Sequence, residues 1–347
     1  MPLSPSDIFD SSTKKHILFA PLDWGLGHAT RCVPLIKRAL QAGHKVTIAA
    51  DKRPLALLKS SFPEVNFIRF KGYEISYPAS RNMVVSMAMQ LPKILFRIAQ
   101  ENTEIARIVE EFKVDVVIAD NRYGLFTGNA KTIFITHQIN IPTGIFQGIV
   151  NTCNRWFINR FDACWILDFE GEPNLSGKLS HETKLPINAV YIEPLSRFSA
   201  IAAPSEYHEY DVLAILSGPE PQRTLLEKII LAEMEVSLLK SALVRGLPGG
   251  AETPLKSDKA RVFDHLKDDE LQSIIQSSAV IVSRSGYSTV MDLFALKKKV
   301  IFIPTPGQRE QEYLAQKFSE DLVAPFCRQE EFKLEKLLRE LERFKGF

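Results

Sequence analysis

Short apolar runs recur along this chain, each closed by glycine, proline or a polar cluster, and between them apolar residues return at three- and four-residue spacing. His16–Ala20, Lys45–Ala50, Asn66–Phe70, Val114–Ala119, Thr132–Ile135 and Ala163–Leu167 show little polar alternation, which predicts strands buried on both faces of a parallel sheet. Ala29–Ala42, closed by Gly43, reads as a helix with a glycine C-cap, so the first fifty residues form one βαβ unit. Asn102–Phe112 is a second helix, and Leu185–Tyr191 rejoins the sheet after a polar loop. Between Glu193 and Tyr210 the period is lost. Asp211–Leu216, Ala242–Arg245, Arg261–Phe263, Val280–Val282 and Lys299–Ile303 then repeat the strand pattern. The pattern predicts α/β architecture: a flexible stretch 1–13, a Rossmann-like domain 14–200 and a second one 201–330. Residues 331–347 are read as a charged amphipathic C-terminal helix with the option of crossing back to the first domain.

One segment departs from this alternation. Tyr77–Glu101 is dense in Met, Val, Leu, Ile and Phe, is interrupted by Pro92, and carries only Arg81, Lys93 and Arg97 as nearby charges. Such composition suits either a helix pair inside a core or a basic, apolar patch against a membrane surface; the pair in the core is the expectation for most of it.

Composition narrows the class. Of 347 residues 45% are hydrophobic and 24% charged, which is ample for two buried cores. A formal net charge of +2, with no basic block interleaved with aromatics, gives no footprint for nucleic acid. Cys32, Cys153, Cys164 and Cys327 lie far apart with no Cys-x-x-Cys pair, which predicts reduced thiols and no zinc site. No leader-like apolar region opens the chain and no window reaches roughly eighteen apolar residues, so a cytoplasmic, non-integral protein is expected.

Candidate chemistry collects where strands end. After Val280–Val282, the turn Arg284-Ser285-Gly286 leads into helically spaced Val290, Leu293, Phe294 and Leu296. Ser285, Gly286, Ser288 and Thr289 therefore sit at a helix N-terminus, where uncovered N–H groups, hydroxyls and the helix dipole suit a phosphate. Asp292, one turn on, is placed to accept hydrogen bonds from a ribose. The following strand ends in Pro304-Thr305-Pro306-Gly307-Gln308, and Gln311 and Glu312 open the next helix. In the first half, Gly25-Leu26-Gly27-His28 reads as GxGxxT, short of the dinucleotide fingerprint, and no P-loop is present. Asp120-Asn121-Arg122 and Thr136-His137-Gln138 are polar clusters at strand ends. Asn121, Arg122, His137 and Gln138 are assigned to an acceptor; Asp120 is either a carboxylate that orients a base or a cap.

The runs RSGYSTVMDLFAL and VIFIPTPGQREQEYLA, together with Gly-Leu-Gly-His-Ala-Thr-Arg before the first helix, resemble the MurG-like glycosyltransferases of family 28. That resemblance implies a GT-B fold, two doubly wound domains facing a cleft, and transfer of a sugar from a UDP-sugar to an acceptor hydroxyl with inversion. It implies donor contacts at Gly25, Gly27, Ser217, Gly218, Arg223, His265, Leu266, Ser285, Gly286, Ser288, Thr289, Asp292, Gln308, Gln311 and Glu312. It makes His28 the candidate catalytic base, and Asp120 is the second catalytic candidate through its reading as a carboxylate that orients a base. In the family the ribose ligand is usually Glu, here Asp292, and the second Gln of a pair is here Glu312. With no Asp-x-Asp motif, Arg223 and the helix start are expected to meet the diphosphate without a metal or cofactor. The partners implied are a nucleotide sugar and a glycan or lipid-linked acceptor, reached from the inner face of the membrane. A UDP-sugar 2-epimerase, using Asp120 and Glu312, and a non-catalytic nucleotide-sugar binder are the alternatives.

Overall fold

Two all-parallel sheets organise the chain, seven strands in the order β3-β2-β1-β4-β5-β6-β7 and five in the order β10-β9-β8-β11-β12. They belong to two compact units that divide between Leu195 and Ser196. The structure, a computed structural model, describes residues 2–73, 83–198, 208–248, 250, 255 and 257–347.

In chain order the first unit carries α1 (Pro5–Ile8), β1 (His16–Pro21), α2 (Leu26–Gln41), β2 (Lys45–Ala50), α3 (Lys52–Ser61), β3 (Asn66–Arg69), α4 (Met83–Phe112), β4 (Val116–Asp120), β5 (Lys131–Thr136), α5 (Gln147–Ile158), β6 (Ala163–Leu167) and β7 (Ala189–Ile192). Every residue of β1, β4 and β6 is buried. That is why these strands read as unbroken apolar runs: helices cover both faces of a parallel sheet. Leu18, Val117, Phe134 and Ile166 from four neighbouring strands meet in one core with Ile105 and Val109 of α4. Strand order reverses between β1 and β4, where Pro21 is in register with Asp120. The loops leaving these two strands therefore flank a topological switch point, the place where open α/β sheets bind ligands.

The second unit runs β8 (Tyr210–Ile215), α6 (Gln222–Val236), β9 (Ser241–Val244), β10 (Ala260–Phe263), α7 (Asp268–Gln276), β11 (Ser278–Ser283), α8 (Tyr287–Ala295), β12 (Lys299–Phe302), α9 (Arg309–Glu320) and α10 (Leu334–Leu341). Its switch point lies between β8 and β11, with Ile215 in register with Ser283.

Several sequence expectations change. The N-terminal stretch read as flexible holds α1, and Ile8 and Phe9 are buried; Phe9 packs on Trp165, whose indole Nε1 donates to the carbonyl of Leu3 at 2.7 Å. α10, given the option of crossing back, packs Leu334, Leu337 and Leu341 into the core of the second unit with Leu226, Ile230 and Met234. Pro92 does not split a helix pair, because α4 continues through it for 30 residues. Of the side chains described in this part of α4, Ile98 is buried, but Met89, Leu91, Leu95 and Phe96 are exposed, Phe96 by 67%. The stretch before it, with Arg81, lies outside the described residues.

Candidate active site

Gly25 opens α2 with a φ of 139°, a conformation that L side chains rarely adopt, and this turn delivers the first helical residues to the end of β1. Gly27 follows in the first turn, and His28 reaches toward β4 with its side chain 16% exposed. Its Nδ1 lies 2.8 Å from Oδ1 of Asp120. Asp120 is wholly buried at the last position of β4, and no helix follows it directly. Arg31, a residue that sequence reasoning passed over, lies one helical turn beyond His28 and is 2% exposed. Its Nε donates to Asp120 Oδ2 at 2.5 Å and its Nη2 to Oδ1 of the same carboxylate. Its Nη1 lies 2.8 Å from His137 Nδ1, and Asn121, with its amide oriented to satisfy its neighbours, accepts from Nη2 at 3.2 Å and donates to Thr136 Oγ1.

Four sequence-predicted residues, His28, Asp120, Asn121 and His137, thus meet around one unpredicted guanidinium. Gln138 follows half-buried, its backbone N–H donating to Thr136 Oγ1 at 3.0 Å. Arg122 does not join them. Asn121 takes a φ of 52°, and the next side chain turns inward, where Arg122 is fully buried against Glu101 at 2.6 Å and the ring of Phe70. It is part of the core rather than an acceptor contact.

The electrostatics follow from burial and from Arg31. Burial opposes ionisation of Asp120, yet the charges of Arg31 and His28 and their hydrogen bonds prevail and bring its carboxyl down to about 2. Burial, and after it the charge of Arg31, hold the His28 imidazole below its ordinary value, with Asp120 pulling the other way. His28 is therefore neutral near pH 7, with one ring nitrogen able to accept a proton.

The second unit gathers three loops at strand ends. Gly218, φ 105°, follows β8 beside half-buried Ser217; a Cβ there would stand 3.8 Å from Thr305 Oγ1. Gly286 is the N-cap of α8, Ser288 and Thr289 lie half-buried in its first turn, and Ser285 Oγ donates to the Gln311 carbonyl at 2.7 Å. Gln311 in turn accepts the Thr305 N–H at 2.8 Å, which ties the loops after β11 and β12 together. Gln308 is the N-cap of α9, and Glu312 accepts the Gly307 N–H at 3.0 Å, holding the proline-rich turn. Asp292, 6% exposed, accepts from Ser196 Oγ at 2.8 Å and Arg197 Nε at 3.1 Å. His265 and Leu266 are half-buried beyond β10, and burial, with Arg197 adding to it, lowers the His265 imidazole.

Arg223 differs from expectation. Its guanidinium is buried between Glu220 at 2.5 Å and Glu227 at 2.7 Å, so its charge is already matched within the unit. Arg284, again missed in the sequence, supplies a charge that is not. It is fully buried just before the Ser285–Gly286 turn and donates to the carbonyls of Ile303, Pro304 and Gln222 and to Gln329 Oε1. All four are neutral oxygens, and among the described residues no carboxylate pairs with it; burial lowers it to about 10.

Residues 15–192, over half of the chain, match the glycosyl transferase family 1 description, and residues 252–345 match the glycosyltransferase family 28 C-terminal domain. The chain belongs to glycosyl transferase family 1, and its C-terminal part is similar to the family 28 enzymes. It is 23% identical over 321 residues to an uncharacterized glycosyltransferase of Methanosarcina acetivorans, covering 83% of this chain and 79% of that one. It is 21% identical over 341 residues to the UDP-N-acetylglucosamine–N-acetylmuramyl-(pentapeptide) pyrophosphoryl-undecaprenol N-acetylglucosamine transferase of Buchnera aphidicola subsp. Schizaphis graminum, covering 92% and 88%. Among solved structures, the spinosyn rhamnosyltransferase SpnG complexed with thymidine diphosphate superposes with a TM-score of 0.61 at 13% identity, over 94% of this chain and 91% of that one. The fold is GT-B and the protein is a glycosyltransferase, as the sequence motifs had led us to expect.

Proposed function

We propose that this enzyme transfers a sugar from a UDP-sugar to the hydroxyl of a lipid-linked acceptor, with inversion at the anomeric carbon and His28 as the general base. The observation that carries the reading is the His28–Asp120 pair, 2.8 Å apart at the switch point of the first sheet. With Nδ1–H donated to the Asp120 carboxylate, the Nε2 lone pair takes the acceptor proton as the hydroxyl oxygen attacks the anomeric carbon. The bond to the diphosphate breaks on the opposite face, which inverts the centre. Charge developing on the leaving diphosphate is met in the second unit by the N–H groups that open α8, by the Ser288 and Thr289 hydroxyls and by the field of buried Arg284. Arg223 is not needed for this. Asp292 serves the ribose, and the named activity of the Buchnera relative supports uridine as the nucleoside and a polyprenyl-linked acceptor.

An apolar surface on the first unit supports a membrane-bound acceptor and peripheral contact with the inner leaflet. Met89, Leu91, Leu95 and Phe96 of α4 are exposed, as are Ile145, Phe146, Ile149 and Trp156 on and before α5. Ile94 and Ile98 of α4 and Phe157 of α5 contribute to one apolar cluster with Leu22 and Tyr73. Arg160 stacks over Trp156 at 3.8 Å and Lys93 is exposed beside the α4 group, a cationic fringe suited to anionic headgroups. Among the described residues no helix is long and apolar enough to cross a membrane.

Calorimetry with UDP, GDP and dTDP, with and without magnesium, tests the donor half. Preference for UDP independent of magnesium is the expected result; a preference for another nucleotide changes the donor, and a magnesium requirement removes the metal-free account. Turnover by His28→Ala tests the base: kcat should fall by on the order of a hundredfold or more with UDP affinity intact.

A further inference from the structure

We propose that Arg31 is a positioning residue that fixes the proton on opposite nitrogens of two histidines, leaving His28 Nε2 as the base and His137 Nε2–H as a hydrogen-bond donor. The inference deepens the transfer reading above and rests on it for the word base; the proton placement stands on geometry alone.

A guanidinium has five N–H donors in a rigid fork and no acceptor. Arg31 spends two of its nitrogens, Nε and Nη2, on both oxygens of the Asp120 carboxylate, and Nη1 approaches His137 Nδ1 at 2.8 Å. Because the guanidinium can only donate, His137 Nδ1 must be the acceptor there, and the proton of a neutral His137 sits on Nε2. His28 faces a different pair. Its Nδ1 lies 2.8 Å from Asp120 Oδ1 and 2.8 Å from Arg31 Nη2, one an acceptor and the other a donor. The two hydrogens of Nη2 are taken by the same Oδ1 and by the Asn121 side-chain oxygen, and the ionised carboxylate takes the imidazole Nδ1–H, so the lone pair of His28 is on Nε2.

Charge makes the same residue decisive. Without Arg31 a buried carboxylate would face an imidazole alone, and the pair would settle by drawing a proton onto His28, which would then have no lone pair to offer. Arg31 neutralises Asp120 and opposes a second positive charge at His28. The other groups facing the pair do not replace it: His137 is itself a histidine, Asn121 is neutral, and Cys32, whose Sγ is 3.8 Å from Asp120 Oδ2, is held as the thiol by burial.

Nitrogen-15 NMR of the histidine side chains in the ligand-free protein reads this directly, with His28→Gln and His137→Gln used to assign the signals. At pH 7.5 the wild type should show Nε2 of His28 without a proton and Nε2 of His137 with one. Arg31→Met should turn His28 into imidazolium and move the acid limb of kcat/KM upward by more than about one pH unit. Arg31→Lys, which keeps the charge but not the fork, should leave His28 neutral while lowering kcat about tenfold or more with donor KM unchanged. A wild-type His28 protonated on Nε2, or tautomers unchanged in Arg31→Met, overturns the inference. Arg31→Lys keeps the test open if Arg31→Met does not fold. Since the spectra need neither donor nor acceptor, they stand even if no sugar transfer is found, in which case the functional reading fails and the proton placement does not.

Discussion

Arg197 donates from Nε to Oδ2 of Asp292 at 3.1 Å, so the carboxylate proposed for the ribose is already held by the chain that enters the second unit. Ser196 Oγ and the Arg197 N–H occupy Oδ1 at 2.8 and 3.3 Å, and Arg197 Nη1 reaches Asp268 at 3.1 Å. Two ribose hydroxyls must share these acceptors or displace the guanidinium, at a cost of the order of 1–3 kcal/mol for a charged hydrogen bond. Arg197→Met removes the competitor and leaves the Ser196 contacts, so UDP should bind about tenfold tighter by calorimetry. Uridine should gain by the same factor. If UDP alone weakens, Arg197 acts on the diphosphate and not on the ribose.

The Asp120 network makes the first unit acid-labile. The carboxyl is held at about 2 in the fold against an ordinary value of 3.8, so the unfolded chain binds the proton first as pH falls. Its contribution, about 2 kcal/mol, is full above the ordinary value and is lost through about pH 2. His28 adds in the same direction: its lowered imidazole stays neutral in the fold while the unfolded imidazole takes a proton below its ordinary 6.5. Asp120→Asn should therefore lower stability near neutrality and flatten its fall below pH 4, read by urea denaturation across that range. An unaltered slope would place the acid sensitivity elsewhere.

What was legible in the sequence follows the same physics. Strands such as Val114–Ala119 stood out because parallel strands are buried on both faces. The turn at Gly25 and the Ser285–Gly286 turn showed because they carry small residues where a strand gives way to a helix. The meeting of His28 with Asp120 did not show, since it depends on β1 and β4 being neighbours across 92 residues of chain. Arg31 looked like one more charge on a helix, and only tertiary structure reveals that it is buried. Arg122 and Arg223 were misplaced because a cation at a strand end reads as a ligand contact until its carboxylate partner is seen. Pro92 looked like a break, although α4 absorbs it on an exposed stretch.

The reassignment of Arg122 has its own consequence. Both Arg122 and Glu101 are fully buried, and removing one partner strands the other charge inside the core. Arg122→Leu should destabilise the first unit by about 3–5 kcal/mol. At temperatures where the variant is folded, its KM for the acceptor should be that of the wild type. A raised acceptor KM in a folded, stable variant would restore Arg122 to the site.

The apolar region on α4 and α5 gives the membrane reading a sharp test. Phe96, 67% exposed, and Trp156, 54% exposed, lie outside the core, so replacing both with Glu removes apolar contact without opening a cavity. Co-sedimentation with anionic vesicles should be lost in Phe96→Glu/Trp156→Glu, while thermal stability changes by less than about 1 kcal/mol. Lys93→Glu should weaken binding mainly at low salt, because a headgroup contact is screened within about 10 Å at 0.1 M. Arg97 behaves otherwise: it is buried and paired with Glu104 at 2.7 Å, so Arg97→Glu should act on stability instead. Wild-type protein that stays in the supernatant at every vesicle composition would leave this surface to a protein partner, and the acceptor would then have to be delivered in soluble form.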